Sequence, residues 1–199
     1  MNKQMKLSPH FTLGEMTKTS YHTKDGNIPS RVAIENLKNL CQNWLEDLRY
    51  SYNRLYGEGV TSHDPIAADV TSPNPSCRRG IEWHDGSCRR GIEWHDGSCR
   101  RGSECRDIPV IINSAYRSEE VNERCGGSRT SNHLTGCAAD IRCLGPEQMI
   151  RYAAILLDIA DGTKRDFDEL LLEKRGTTYW IHFAVRPEGN RRRITFDMR

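Results

Sequence analysis

The sequence predicts an α+β fold: a small antiparallel sheet packed with helices, with one long irregular insertion. Three observations predict it. Ile34, Leu37, Cys41, Trp44, Leu45 and Leu48 recur at helical spacing between Ser30 and Arg49. Two strand-like runs, 167–173 and 179–185, flank a glycine-containing turn. Between these regions lies a stretch rich in Gly, Pro, Ser and Asp that leads into a short tandem repeat.

Each element has a local justification. Ser30 is placed to cap the first helix, because its side chain can accept from an orphan backbone N–H. Ile108-Pro109-Val110-Ile111-Ile112-Asn113-Ser114 is short, branched and apolar, and reads as a buried strand. Ser118 can cap a short helix through Arg124 that Gly126-Gly127 ends. A further helix is expected from Pro146 to about Ile159, with proline in its first turn. The runs 167–173 and 179–185 form a hairpin around Arg175-Gly176-Thr177. Trp180, His182 and Ala184 then share one face of the second strand, and Tyr179, Ile181, Phe183 and Val185 the other. If Glu173 pairs opposite Trp180, then Glu169, Leu171 and Glu173 join the face of His182. A one-residue slip would reverse that placement.

The chain is read as a single domain over 1–199, interrupted by an insertion at 57–107. Residues 76–86 recur unchanged as 87–97, and a decaying third copy follows at 98–107. The 11-residue period is much shorter than that of solenoid repeats. Identity without drift points to an in-frame duplication. The repeat can be read as a Cys/His/Asp patch for a metal or a partner, or as an exposed insertion that the fold tolerates. Long loops add little closure entropy, so the second reading is preferred.

Composition excludes several function classes. The 199 residues carry a net charge of +2, too balanced to argue for nucleic acid, and none is expected as a partner. The run Arg191-Arg192-Arg193 is read as a solvated tail or a substrate-carboxylate contact. No apolar stretch approaches the roughly 20 residues of a membrane span. The first ten residues hold no apolar core of secretory length, so synthesis in the cytoplasm is expected. Eight cysteines are present without a Cys-x-x-Cys pair, and free thiols are expected. A monomer is expected.

The chemistry concentrates in Ser131-Asn132-His133-Leu134-Thr135-Gly136-Cys137-Ala138-Ala139-Asp140. His133 and Asp140 stand seven residues apart among small residues, and His182 follows on the later strand beside Trp180. Two imidazoles and one carboxylate suit a catalytic zinc site, with three protein ligands and the fourth position left to water. Such a metal brings the pKa of its water to about 7 and polarises a carbonyl, which opens amides to attack at neutral pH. Spacing alone leaves an ordinary polar pair as the alternative.

The surrounding residues add a resemblance. Phe11-Thr12-Leu13-Gly14-Glu15-Met16, then Asn113-Ser114-Ala115-Tyr116-Arg117-Ser118 with Val121-Asn122 and Gly126-Gly127, then Ser131-x-His133-x-x-Gly136-x-Ala138-x-Asp140, then Trp180-x-His182 with Gly189-Asn190-Arg191, follow one another along the chain. Together they resemble the zinc D-alanyl-D-alanine carboxypeptidases and related phage and bacterial cell-wall peptidases, which share the hedgehog/DD-peptidase fold. The likeness covers roughly 7–50 and 108–193 and leaves the insertion outside.

The resemblance implies one zinc ion held by His133, Asp140 and His182. It implies that Arg117 grips a substrate carboxylate or steadies a developing oxyanion, a task its planar fork suits; the alternative is a structural ion pair. Ser131 would contact substrate or support the ligands, or simply stabilise a turn. Trp180 would line the substrate site. Better-studied members carry an Asp or Glu three residues before the last His, and here that position is Tyr179. The expected general base is therefore Glu173 on the preceding strand, with Glu169 in reserve and Asp168 third. Cys137 and Cys143 raise a thiolate-ligand alternative, but Cys137 reads as a small buried filler.

The implied reaction is zinc-dependent hydrolysis of an amide in a peptidoglycan stem peptide, by a D-Ala-D-Ala carboxypeptidase or an endolysin-like endopeptidase. A phage-type lysin made in the cytoplasm and released onto the wall fits that reading. Two alternatives stand beside it: a non-catalytic zinc-containing binding domain on the same scaffold, and an interaction protein acting through the repeats.

Overall fold

The computed structural model describes residues 3–57 and 107–198. The insertion expected at 57–107, with its repeats, lies outside the described residues apart from its two ends. Thr12 opens the one-turn helix α1 (Leu13–Met16) through a capping box: its hydroxyl accepts from the Glu15 N–H, and the Glu15 carboxylate accepts from the Thr12 N–H at 2.9 Å. Ser30 accepts from the Ala33 N–H and starts α2 (Arg31–Leu40), as the sequence predicts. The helix passes through a π-helical turn (Cys41–Leu45) into α3 (Glu46–Tyr56). There the Glu46 N–H donates to the Cys41 carbonyl, and the wide turn keeps Cys41, Trp44 and Leu45 all buried.

The strand expected over 108–114 is shorter, β1 (Ile112–Ser114). Pro109 has no N–H to give a ladder, and the Ile108 backbone is held instead by the Asn53 side chain. Ser118 caps α4 (Glu119–Arg124) as expected. A 3₁₀ turn (Asn132–Thr135) leads into β2 (Ala138–Cys143), which no sequence pattern announced. The next helix, α5 (Pro146–Thr163), starts at the predicted proline but runs one turn further, until Lys164 takes a left-handed conformation at φ 55°. The hairpin follows as β3 (Glu169–Arg175) and β4 (Thr178–Ala184), and the chain returns as β5 (Arg193–Met198).

The five strands lie in the order β1-β2-β4-β3-β5. The sheet is mixed rather than antiparallel: β5, expected as part of a basic tail, pairs parallel with β3. Its edge position is reached because the segment after β4 crosses back beside the start of β3, where the Arg193 N–H donates to the Asp168 carbonyl.

Register decides the rest. Glu173 pairs with Trp180 and Leu171 with His182, the pairing considered from sequence. Asp140 pairs with His182 on the other side of β4, and Ser114 with Asp140 beyond it. One face of the sheet therefore carries Asp140, His182, Glu169, Glu173 and Trp180. The opposite face carries Ile141, Ile181, Phe183, Leu170 and Leu172, all buried with Trp44 and Tyr152 from the helices. Trp44 meets Phe183 with ring centroids 5.0 Å apart. Burying each large apolar side chain contributes roughly 1.5–3 kcal/mol, so the helix-covered face holds the sheet while the other is left for chemistry. No helix among the described residues is long and apolar enough to cross a membrane.

The N-terminal segment serves the same end. Asn27 donates its side-chain amide to the Thr17 carbonyl at 2.9 Å and accepts from the Ser118 N–H at 2.7 Å, while the Tyr116 N–H donates to the Met16 carbonyl. These bonds fix the backbone on both sides of Arg117.

Candidate metal centre

Three elements bring the ligand-type side chains together. Asp140 comes from β2 and His182 from β4, as direct partners in the ladder. His133 comes from the 3₁₀ turn, which Ser131 caps by accepting from the His133 N–H at 3.4 Å. Gly136 closes the turn at φ +71°, and its missing Cβ leaves room for the Ala33 carbonyl oxygen, which a methyl would meet at 2.5 Å. The backbone around His133 is thus locked between α2 and the loop that carries Arg117, whose N–H donates to the His133 carbonyl at 3.1 Å.

The three groups converge on a triangle. His133 Nε2 and His182 Nδ1 are 3.2 Å apart, His182 Nδ1 and Asp140 Oδ1 3.0 Å, and His133 Nε2 and Asp140 Oδ1 3.3 Å. Bonds of about 2.0–2.2 Å from one tetrahedral metal would place ligand atoms about 3.3–3.6 Å apart, so the donor set fits a single ion with little movement. Among the described residues this is the one such group of His, Cys, Asp and Glu. All three side chains are buried.

The electrostatics favour positive charge at that point. Burial works to raise the Asp140 pKa, but His133 and His182 outweigh it and hold the carboxyl well below the usual range. For His182 burial works downward, yet Asp140 and Glu169 push its imidazole up to about 9. His133 Nδ1 donates to the Ala115 carbonyl at 2.5 Å, which leaves Nε2 with its lone pair toward the triangle.

Apart from the reserve bases Glu169 and Asp168, the site residues expected from sequence line one cleft of about 350 Å³: Arg117, Ser131, Glu173 and Trp180 surround the triangle of His133, Asp140 and His182. Glu173 accepts from Trp180 Nε1–H at 2.7 Å, and burial pushes its carboxyl above the ordinary value against the pull of that bond. Arg117 donates Nε–H to Ser114 Oγ at 2.8 Å and pairs its terminal nitrogen with Asp140 Oδ2, the oxygen that faces away from the triangle. It therefore fixes which Asp140 oxygen is presented. A larger groove of about 620 Å³ lies on the far side of Ser131, between Val32, Leu134 and Arg186.

Other candidates lie elsewhere. Tyr179 points away from His182, toward the core. Cys137 and Cys143 are buried, and burial pushes both thiols up, Cys143 to about 12, so neither presents a thiolate. Asp168, third in line as a base, is fully buried and saturated: Arg191 pairs with both its oxygens at 2.7 and 2.8 Å, Asn132 donates at 2.8 Å and Arg186 lies at 2.9 Å. Arg191 is thus no solvated tail, and Arg192 pairs with Asp161 and Asp166.

This charged layer under the site, built from Asn132, Asp168, Glu169, Arg186 and Arg191, was missed from sequence. The signal that could have found it is Gly189-Asn190-Arg191: Gly189 turns at φ +69°, and Asn190 bonds both backbone groups of Arg186, delivering Arg191 to Asp168.

No curated protein matches the chain. The family model described as Peptidase M15 matches residues 102–164, a stretch that holds Arg117, Ser131, His133, Asp140 and all of α5. That match supports the likeness to the zinc D-Ala-D-Ala carboxypeptidase type of M15 peptidase on which the motifs agree.

Proposed function

We propose that this chain is a zinc-dependent metallopeptidase that hydrolyses amide bonds in peptidoglycan stem peptides, as a D-Ala-D-Ala carboxypeptidase or an endolysin-like endopeptidase. It would do so on one hedgehog/DD-peptidase-type domain, with 57–107 as an insertion. The observation that carries the reading is the meeting of His133, Asp140 and His182 with Glu173 in a single cleft.

His133, Asp140 and His182 would hold one zinc ion, which would supply Lewis acidity toward a water and the scissile carbonyl. Glu173 takes the proton of the attacking water and returns it to the leaving amine, a role its raised pKa supports. Trp180 holds the Glu173 carboxylate in place. Arg117 lines the cleft and binds a carboxylate or the carbonyl oxygen of the stem peptide, and the Ser131 hydroxyl lies at the cleft edge toward the larger groove, which has room for the rest of the chain.

Tyr179 favours a second reading, a zinc-containing wall-binding domain without turnover, since the family's usual acidic position is filled by a residue turned to the core. Mass spectrometry of muropeptides incubated with zinc-loaded protein, and with a chelated sample in parallel, separates the two. A product formed only with zinc supports the peptidase, and its mass identifies the bond. Zinc bound without any product supports the binding domain.

A further inference from the structure

The two imidazoles of the centre meet through different nitrogens. His133 turns Nε2 to the triangle and has a dedicated acceptor for Nδ1, the Ala115 carbonyl at 2.5 Å. His182 turns Nδ1 to the triangle, 3.0 Å from Asp140 Oδ1, so its Nε2 must carry the hydrogen when Nδ1 acts as a donor atom. Nε2 faces Glu169 Oε2 at 3.5 Å.

Glu169 is in turn held on both oxygens. Oε1 accepts from Arg191 at 2.8 Å, with Arg193 at 3.6 Å, and Oε2 accepts from the Asn132 amide at 3.2 Å. It does not line the cleft that holds Glu173. With both oxygens engaged behind the ring, it has no oxygen to offer an attacking water, which separates its role from that of Glu173.

We propose that Glu169 is a positioning residue for the metal centre: its carboxylate fixes His182 as the Nε2–H tautomer and so aims the Nδ1 lone pair at the ion, while Asn132 and Arg191 hold Glu169 in place. A carboxylate behind a ligating imidazole orients the ring and makes the ligating nitrogen more basic. The chain thereby couples the returning segment 186–193 to the metal through Arg191. The proposal rests on the metal-binding half of the function proposed above and is independent of turnover.

The test uses the full chain and zinc alone. Chelator competition gives the zinc dissociation constant of the unaltered chain, of Glu169→Gln and of Arg192→Gln. The last breaks ion pairs on the same segment, with Asp161 and Asp166, without touching Glu169. Glu169→Gln is expected to weaken zinc by about 10- to 100-fold, and Arg192→Gln to leave it unchanged. Equal effects of the two variants, or wild-type affinity in Glu169→Gln, would overturn the proposal by reducing Glu169 to a structural tie. Nitrogen-15 NMR of the zinc-loaded unaltered chain supplies a readout that needs no variant: Nε2–H on His182 and Nδ1–H on His133 are expected. A hydrogen on His182 Nδ1 would overturn the assignment. Failure of the unaltered chain to bind zinc would overturn the metal reading itself and this proposal with it.

Discussion

Trp180 donates its indole N–H to Glu173 Oε2 over 2.7 Å, across a direct pair of the β3–β4 ladder. The bond exists in one register only, because a slip of one residue would put the two side chains on opposite faces of the sheet. It ties the hairpin to the chemistry: the turn at Arg175–Thr178 sets the register, and the register sets the base.

Glu173→Gln keeps the shape and removes the base. Turnover of a muropeptide substrate should fall by about 10²- to 10⁴-fold, with zinc content by metal analysis unchanged. Near-normal turnover would remove Glu173 from the mechanism and reopen the question of the base.

Trp180→Phe should move the pH profile. A general base works ionised, so kcat/KM falls as pH drops through its pKa. Burial raises the Glu173 pKa above the ordinary value of about 4.3, and the Trp180 bond pulls it back. Without that donor the acidic limb should shift to higher pH. A limb that stays in place would mean that another group controls it.

The hairpin was legible because its signal is local: alternation along 179–185, a turn with glycine, and one acidic residue at the right offset. The ligands were legible because His133, Gly136, Asp140 and His182 sit at fixed offsets. β2 was not, because Cys137-Ala138-Ala139 offers small residues without alternation, and the strand is buried on both faces between β1 and β4. Neither was β5: its arginine-rich start resembles a tail, and its pairing with β3 depends on a crossover that no local pattern encodes. The pairing of Arg117 with Asp140 and the saturation of Asp168 follow from those two non-local placements, so they were out of reach as well.

Gly136→Ala tests the lock on His133. The residue has φ +71°, and a methyl would meet the Ala33 carbonyl at 2.5 Å. Gly126 has the same φ, but a methyl there would meet nothing within 4 Å. Left-handed strain alone is on the order of 1 kcal/mol, so Gly126→Ala should show only that. Gly136→Ala should lose more in denaturant unfolding and should weaken zinc binding. Equal losses at the two positions would mean that α2 gives way without disturbing the turn.

Asp168→Ala should be among the more damaging single changes. It removes a fully buried carboxylate and strands Asn132, Arg186 and Arg191. Removing one partner of a buried pair costs about 3–5 kcal/mol; Arg186 and Arg191 are partly exposed and can return to water, so about 3 kcal/mol is expected. Burial works against ionisation, but the arginines and Asn132 win and hold the Asp168 carboxyl low. Its contribution is therefore full above the unfolded value of about 3.9 and is lost as pH falls through the lower folded value. The acid limb of the stability curve should flatten in the variant. An unchanged limb would assign acid unfolding to other carboxylates.

Removing residues 76–97 should leave folding and zinc binding intact. The ends of the insertion are already fixed against each other within the described core. Arg49 pairs with Asp107, Asn53 donates to the Ile108 carbonyl at 3.0 Å, and the Ile108 N–H donates to Asn53 Oδ1 at 2.7 Å. Asp107 and Ile108, where the chain resumes, are therefore held directly by α3. Halving the length of chain between two fixed ends changes closure entropy by only about 0.6 kcal/mol, in favour of the shorter chain. Thermal unfolding and chelator competition on the deletion variant should match the full chain within that margin. A larger loss would show that the repeats contribute contacts of their own, and would make the Cys/His/Asp patch, rather than the duplication, the reason for their presence.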